Sequence, residues 1–173
     1  QPVDEGTLWT LAGAFTDSDA EDAWVVTVDY GDGPQSVPLV DKTFQLSREF
    51  DDQGVYSISV SVADNHGAAD TVEFDLTVTD LAPTAVLTGD GVLDEGQGGS
   101  FDAMASISSP DSIVSHEWDW GYDGVAFNPS GDTGISQTHT WMDDGTYTVA
   151  MRVTDDDGSS DIATLAVTVN DRG

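Results

Sequence analysis

The sequence has no cysteine, and among its 173 residues only four are basic, one lysine and three arginines. Without thiols neither disulfides nor thiolate metal sites can form. With so few cations and a formal net charge of −29, phosphate backbones would be repelled, so binding of nucleic acid is not expected. No apolar run approaches the ~18 residues of a membrane span, so membrane insertion is not expected either. The chain opens on Gln1-Pro2, with neither an initiator methionine nor a basic, apolar leader, and on that ground is expected to be a piece of something larger.

Catalytic signatures are also scarce. The three histidines, His66, His116 and His139, are scattered, and no Ser-His-Asp or metalloprotease spacing accompanies them. They are expected to have surface or packing roles, with His116, on the inward parity of its strand, as a hydrogen-bonded rim residue. Asp132-Thr133-Gly134 matches the Asp-Thr-Gly of aspartic proteases, but that chemistry needs two carboxylates sharing a proton, and no second such tripeptide exists. A turn is the expectation there. Carboxylates are too abundant for any pair to stand out as an acid and a base, so the chain is not expected to be an enzyme.

What is abundant is aspartate, 27 of the 33 acidic residues, a residue suited to turns and metal loops rather than strands. The chain also repeats itself. Asp4-Glu5-Gly6 returns as Asp94-Glu95-Gly96, and Asp29-Tyr30-Gly31-Asp32-Gly33 as Asp119-Trp120-Gly121-Tyr122-Asp123-Gly124. Gly54-Val55-Tyr56 returns as Gly145-Thr146-Tyr147, Asp64-Asn65-His66-Gly67 as Asp155-Asp156-Asp157-Gly158, and Val78-Thr79-Asp80 as Val169-Asn170-Asp171. The offset is 90 residues up to Gly31/Gly121 and 91 from Gly54/Gly145 onward. A period this long is a whole domain rather than a solenoid unit. The boundaries expected are a module over 1–80, a linker over 81–83 and a second module over 84–173.

Period-two alternation predicts the elements. Trp9, Leu11, Gly13 and Phe15 share one face, as do Trp24, Val26, Val28 and Tyr30, then Tyr56, Ile58, Val60 and Val62, and Phe74, Leu76 and Val78. In the second module the sets are Phe101, Ala103 and Ala105; Val114, His116, Trp118 and Trp120; Tyr147, Val149, Met151 and Val153; and Leu165, Val167 and Val169. Gly, Asp, Ser and Asn clusters separate them, and no helical stripe of useful length intervenes, which predicts an all-β sandwich in each module. Trp9, Trp24, Trp118 and Trp120 share parity with the aliphatic residues and are read as packing residues; Trp141 corresponds to Phe50, where an aromatic closes the base of the sandwich.

The Asp-aromatic-Gly-Asp-Gly element, the Gly-x-Tyr element with its later Asp, and the closing Val-Thr strand resemble the PKD (polycystin-type) repeat. That resemblance implies two tandem immunoglobulin-like antiparallel β-sandwiches, of the kind strung in series along large secreted or surface proteins of bacteria. The second module departs from the pattern by inserting Tyr122 and by carrying Ser108-Ser109-Pro110-Asp111 in place of an Asp-x-Asp loop.

In such a topology the B–C and F–G loops share one pole. Asp17, Asp19 and Asp22 would then converge with Asp64 and Asn65, an all-oxygen set that suits calcium, whereas zinc would prefer nitrogen or sulfur donors. A second set is expected at the junction: Glu5, Asp51, Asp52 and Asp80 on one side, Asp111, Asp155 and Asp157 on the other. Their loop placement resembles that of cadherin repeats, where calcium stiffens successive sandwiches. The alternative is that these aspartates only start turns or keep the surface solvated.

The function expected is therefore a non-catalytic, calcium-binding structural or adhesive spacer of a larger extracellular bacterial protein, secreted or at the cell surface. Its partners would be calcium, neighbouring domains of the same parent chain, and a surface protein or polysaccharide. The alternative is an accessory, substrate-contacting module of a secreted polysaccharide- or protein-degrading enzyme.

Overall fold

The computed structural model describes residues 1–18 and 23–173. Among them every regular element is a strand, and the chain divides into two compact units, Gln1–Asp80 and Leu81–Gly173.

The first unit contains β1 (Val3–Asp4), β2 (Leu8–Ala14), β3 (Trp24–Asp29), β4 (Gln35–Val37), β5 (Leu39–Val40), β6 (Thr43–Glu49), β7 (Gly54–Asp64) and β8 (Ala69–Thr79). They form two sheets, in the orders β1-β8-β7-β3-β4 and β2-β6-β5. Alternation turns Val26, Val28, Ile58, Val60, Leu76 and Val78 inward, where they meet Leu46 and Phe50 from the facing side. Fully burying each such side chain contributes about 1.5–3 kcal/mol, so the core is what holds the two sheets together. The β5–β6 hairpin turns on Asp41 and Lys42, both at positive φ (48° and 63°), as a tight two-residue turn requires. That turn aims Lys42, the sole lysine, at the Trp24 ring, with Nζ 4.1 Å from the ring centroid.

The second unit contains β9 (Thr88–Gly89), β10 (Val92–Asp94), β11 (Gly98–Asp102), β12 (Ile113–Asp119), β13 (Ser136–Thr140), β14 (Gly145–Asp155) and β15 (Ser160–Asn170). Its sheets run β10-β15-β14-β12 and β13-β11-β9. The register repeats that of the first unit: Leu11 faces Leu46 as Phe101 faces Gln137, and Gly54 faces Val78 as Gly145 faces Val169. Turn chemistry repeats as well. The Tyr56 hydroxyl donates to the Asp52 carbonyl at 2.8 Å and the Tyr147 hydroxyl to that of Asp143 at 3.2 Å. Gly6 N–H donates to the Phe50 carbonyl and Gly96 N–H to that of Trp141, each at 2.8 Å.

The tryptophans pack as their parity predicts: Trp118, Trp120 and Trp141 are buried, while Trp9 lies against Phe50 and Phe74 and Trp24 against Phe15. Two expected inward positions are not inward. Val114 is 62% exposed because a register shift between Ile113 and Ser115 breaks the alternation and sends Ile113 to the core instead. Ala105 is exposed because β11 ends at Asp102, whose carboxylate caps a turn by accepting Met104 N–H at 2.8 Å.

Candidate functional site

The expected sites lie in loops, and each unit brings its own loops together. In the first unit the segment before β3 meets the β7–β8 loop. Ala23 N–H donates to Asn65 Oδ1 at 3.1 Å and Asn65 N–H returns a bond to the Ala23 carbonyl at 3.0 Å. Asp17 is tied to the same pole, accepting the Trp24 indole N–H on Oδ2 at 3.1 Å while its carbonyl accepts from Lys42 Nζ at 2.9 Å. Asp64 turns onto its own loop: Oδ1 accepts Ala68 N–H at 2.9 Å and His66 N–H at 2.8 Å. These bonds, that from Ala68 foremost, hold its carboxyl below the usual carboxylate range. Asp19 and Asp22 lie outside the described residues.

The opposite pole of the first unit carries Glu5, Asp51, Asp52 and Asp80. Glu5 N–H donates to the Thr79 carbonyl at 3.0 Å, which fixes Glu5 beside the end of β8. Its side chain is only 1% exposed and offers a carboxylate oxygen within 4.8 Å of one on Asp80. Asp51 and Asp52 are exposed on the β6–β7 turn and stand outside this pair.

In the second unit the β14–β15 loop meets the loop before β12. Asp156 Oδ1 accepts Ser112 N–H at 2.8 Å, and Asp111 and Asp157 offer carboxylate oxygens within 4.8 Å of each other. Asp155 is 1% exposed; its Oδ1 accepts Ser159 N–H at 2.8 Å, while Oδ2 is buried without a hydrogen-bond partner among the described residues. A carboxylate oxygen withdrawn from water and left unbonded carries a desolvation cost that a cation would offset. Two of the arginines are engaged elsewhere, Arg48 with Asp32 and Arg152 with Glu117. The donors near Glu5 and Asp155 are oxygens alone, which fits calcium and does not fit zinc.

Other motif residues have structural work. Asp29 Oδ1 accepts both Gly31 and Gly33 N–H, at 2.8 and 3.0 Å. Asp119 is buried and divides the same task, accepting Gly121 N–H on Oδ1 at 3.0 Å and Asn128 N–H on Oδ2 at 2.8 Å. Asp132 accepts the Trp120 indole N–H. His116 is partly buried, and desolvation pushes its pKa down.

Two tandem immunoglobulin-like β-sandwiches, with acidic side chains such as Asp29, Asp64 and Asp119 capping their turns, define a modular class of protein. The family model described as "PKD domain" matches residues 1–78 and again 80–169, and the chain belongs to that family. Among solved structures it is similar to the PKD1 domain of the Vibrio cholerae metalloprotease PrtV, at 30% identity over 52% of this chain and 99% of that one, with a TM-score of 0.42. The PKD1 domain of Vibrio anguillarum Epp matches at 26% identity over 52% of this chain and 95% of that chain, with a TM-score of 0.42. A structure described under promiscuous specificity of carbohydrate-binding modules of the β-sandwich superfamily matches at 29% identity, over 53% of this chain and 36% of that one, with a TM-score of 0.42.

Proposed function

We propose that the chain is an extracellular, non-catalytic module pair that binds calcium and serves as a structural spacer or adhesive segment of a bacterial protein. The observation that carries the reading is Asp155, a carboxylate 1% exposed with one oxygen lacking a hydrogen-bond partner among the described residues, in a chain of net charge −29. A buried carboxylate oxygen without a hydrogen-bond donor is a ready ligand, and a divalent cation from an extracellular medium would satisfy it. Glu5 with Asp80, and Asp111 with Asp157, are further oxygen donors for bound ions. Membership of the PKD family supports the spacer role, since these modules are generally non-catalytic.

Thermal unfolding tests this reading. Calcium at a hundred times its dissociation constant stabilises a folded state that alone binds it by about 2.7 kcal/mol. Melting temperature should rise with calcium at fixed ionic strength, and Asp155→Asn should diminish the rise. An identical melting curve in millimolar calcium and in chelator would remove the proposal. Retention on chitin, cellulose or collagen would favour the substrate-contacting alternative.

A further inference from the structure

A column of oxidisable rings runs through the second unit. Trp118 is wholly buried and stacks on Trp120, with ring centroids 5.2 Å apart and planes 12° from parallel. Trp120 meets Trp141 edge-on at 6.3 Å, and Trp141 stacks on Tyr147 at 5.2 Å. Solvent meets the column chiefly at its far end. Trp120 and Trp141 are 8% and 6% exposed, whereas Tyr147 is half-buried and its hydroxyl makes an exposed bond to the Asp143 carbonyl. A proton acceptor is already in place inside: Trp120 donates its indole N–H to Asp132 Oδ2, whose carboxyl, held below the usual carboxylate range chiefly by that bond, is ionised at neutral pH.

The first unit keeps this geometry and breaks the chemistry. Val28, Tyr30, Phe50 and Tyr56 stand where the repeat has Trp118, Trp120, Trp141 and Tyr147. The ring contacts persist, Tyr30 to Phe50 at 6.1 Å and Phe50 to Tyr56 at 4.4 Å. Phenylalanine, however, yields no electron to the oxidants that convert tryptophan and tyrosine to radicals, so Phe50 separates the two tyrosines. Trp9 and Trp24 are isolated in the same way: among the described residues the ring partners of Trp9 are Phe50 and Phe74, and that of Trp24 is Phe15. Packing calls for an aromatic at Phe50 and Trp141 alike. An oxidisable one stands only in the second unit.

We propose that the second unit is a redox relay, which moves an oxidising equivalent from its tryptophan core to Tyr147 at the surface. The oxidant it meets is a one-electron radical of the carbonate radical anion class. That radical takes one electron from Trp120 and becomes carbonate, while the indole proton shifts along its hydrogen bond to Asp132 Oδ2. Trp141 then returns an electron to Trp120 as the proton comes back from Asp132. Tyr147 supplies an electron to Trp141 and releases its phenolic proton to water, from which carbonate takes it up. The balance is one electron and one proton passed from Tyr147 to the oxidant, giving bicarbonate and a neutral tyrosyl radical with every tryptophan restored. Because the tyrosyl radical lies below the tryptophanyl radical in energy, the equivalent comes to rest on Tyr147, where a diffusible reductant such as ascorbate or a thiol regenerates the phenol. A hole on Trp118, which no diffusing reagent can touch, drains outward by the same contacts. The relay is independent of bound calcium.

Pulse radiolysis of the full chain tests it, with azide radicals as the probe because they oxidise tryptophan in preference to tyrosine. The tryptophanyl absorption should decay as the tyrosyl absorption grows, in a first-order step whose rate does not change with protein concentration. Trp141→Phe, which copies Phe50, should remove that step. Tyr147→Phe keeps every ring in place and so tests the end point without repacking the core; it should leave the tryptophanyl radical long-lived. Trp9→Phe and Trp24→Phe should leave the step unchanged. No first-order growth of tyrosyl radical, or growth that scales with protein concentration, overturns the proposal. So does growth that survives Trp141→Phe or Tyr147→Phe, and so does growth lost on Trp9→Phe or Trp24→Phe, which would put the transfer in the first unit.

Discussion

Trp120 donates its indole N–H to Asp132 Oδ2 at 2.7 Å, and that bond accounts for the one tripeptide in the chain that looks catalytic. The bond from Trp120, with a second from Ser130, holds the Asp132 carboxyl below the usual carboxylate range. Asp132 thus acts as an acceptor for a buried tryptophan. Asp132→Asn, which keeps a carbonyl oxygen there, should lower the melting temperature less than Asp132→Ala, which leaves the indole N–H of Trp120 unmet. Equal losses in the two variants would show that the bond contributes nothing.

Asp119 and Asp29 occupy the same position in the two repeats and differ in burial. Asp119 is 5% exposed and its two bonds from backbone N–H groups are both part-buried, whereas of the two that Asp29 accepts the one from Gly33 is part-buried and the one from Gly31 is exposed. Leaving a buried donor unpaired costs about 1–3 kcal/mol, so Asp119→Ala should destabilise the second unit clearly more than Asp29→Ala destabilises the first. Urea midpoints of the two variants check the order.

His139 lies flat on Trp120, with ring centroids 4.6 Å apart, and meets Trp141 edge-on. Burial pushes its pKa below the ordinary 6.5, with Asp132 opposing the shift. The folded state therefore binds fewer protons than the unfolded one just below that pH. Stability should fall as pH drops through about 6.5 and level off below the folded-state pKa. His116, depressed by the same cause, adds to the slope. His139→Phe keeps a flat ring in the stack and should flatten this part of the profile. An unchanged slope of urea midpoint against pH would contradict the assignment.

The strands and their pairing were legible because inward positions such as Val26, Val28, Ile58, Val149 and Met151 alternate without interruption, and because repetition at a near-constant offset exposes the domain period. Val114 was misplaced because a bulge shifts parity by one residue and leaves no mark in composition. The convergence of Ala23 with Asn65 and of Ser112 with Asp156 follows from topology, and so was within reach of the repeat. The division of labour among the aspartates was not. Asp64 is a ligand candidate in sequence, Asp132 belongs to a tripeptide expected to be a turn and Asp119 to a repeated motif, and each has an oxygen facing an N–H group that only the fold brings near. Asp161 carried no signal at all, since its partner Ala85 lies 76 residues away.

The central claim is that this acidic chain binds calcium, and counting the ions on the intact protein tests it most directly. Native mass spectrometry of the full chain, desalted from calcium and again from chelator, should show a discrete number of calcium adducts in the first spectrum that are absent from the second. Magnesium at the same concentration should not reproduce that number, because it demands tighter octahedral order than flexible loops provide. Asp155→Asn should lower the count. A broad, unsaturated adduct series identical for calcium and magnesium, or no adducts, would contradict the claim and leave the carboxylates as turn caps and solvated surface.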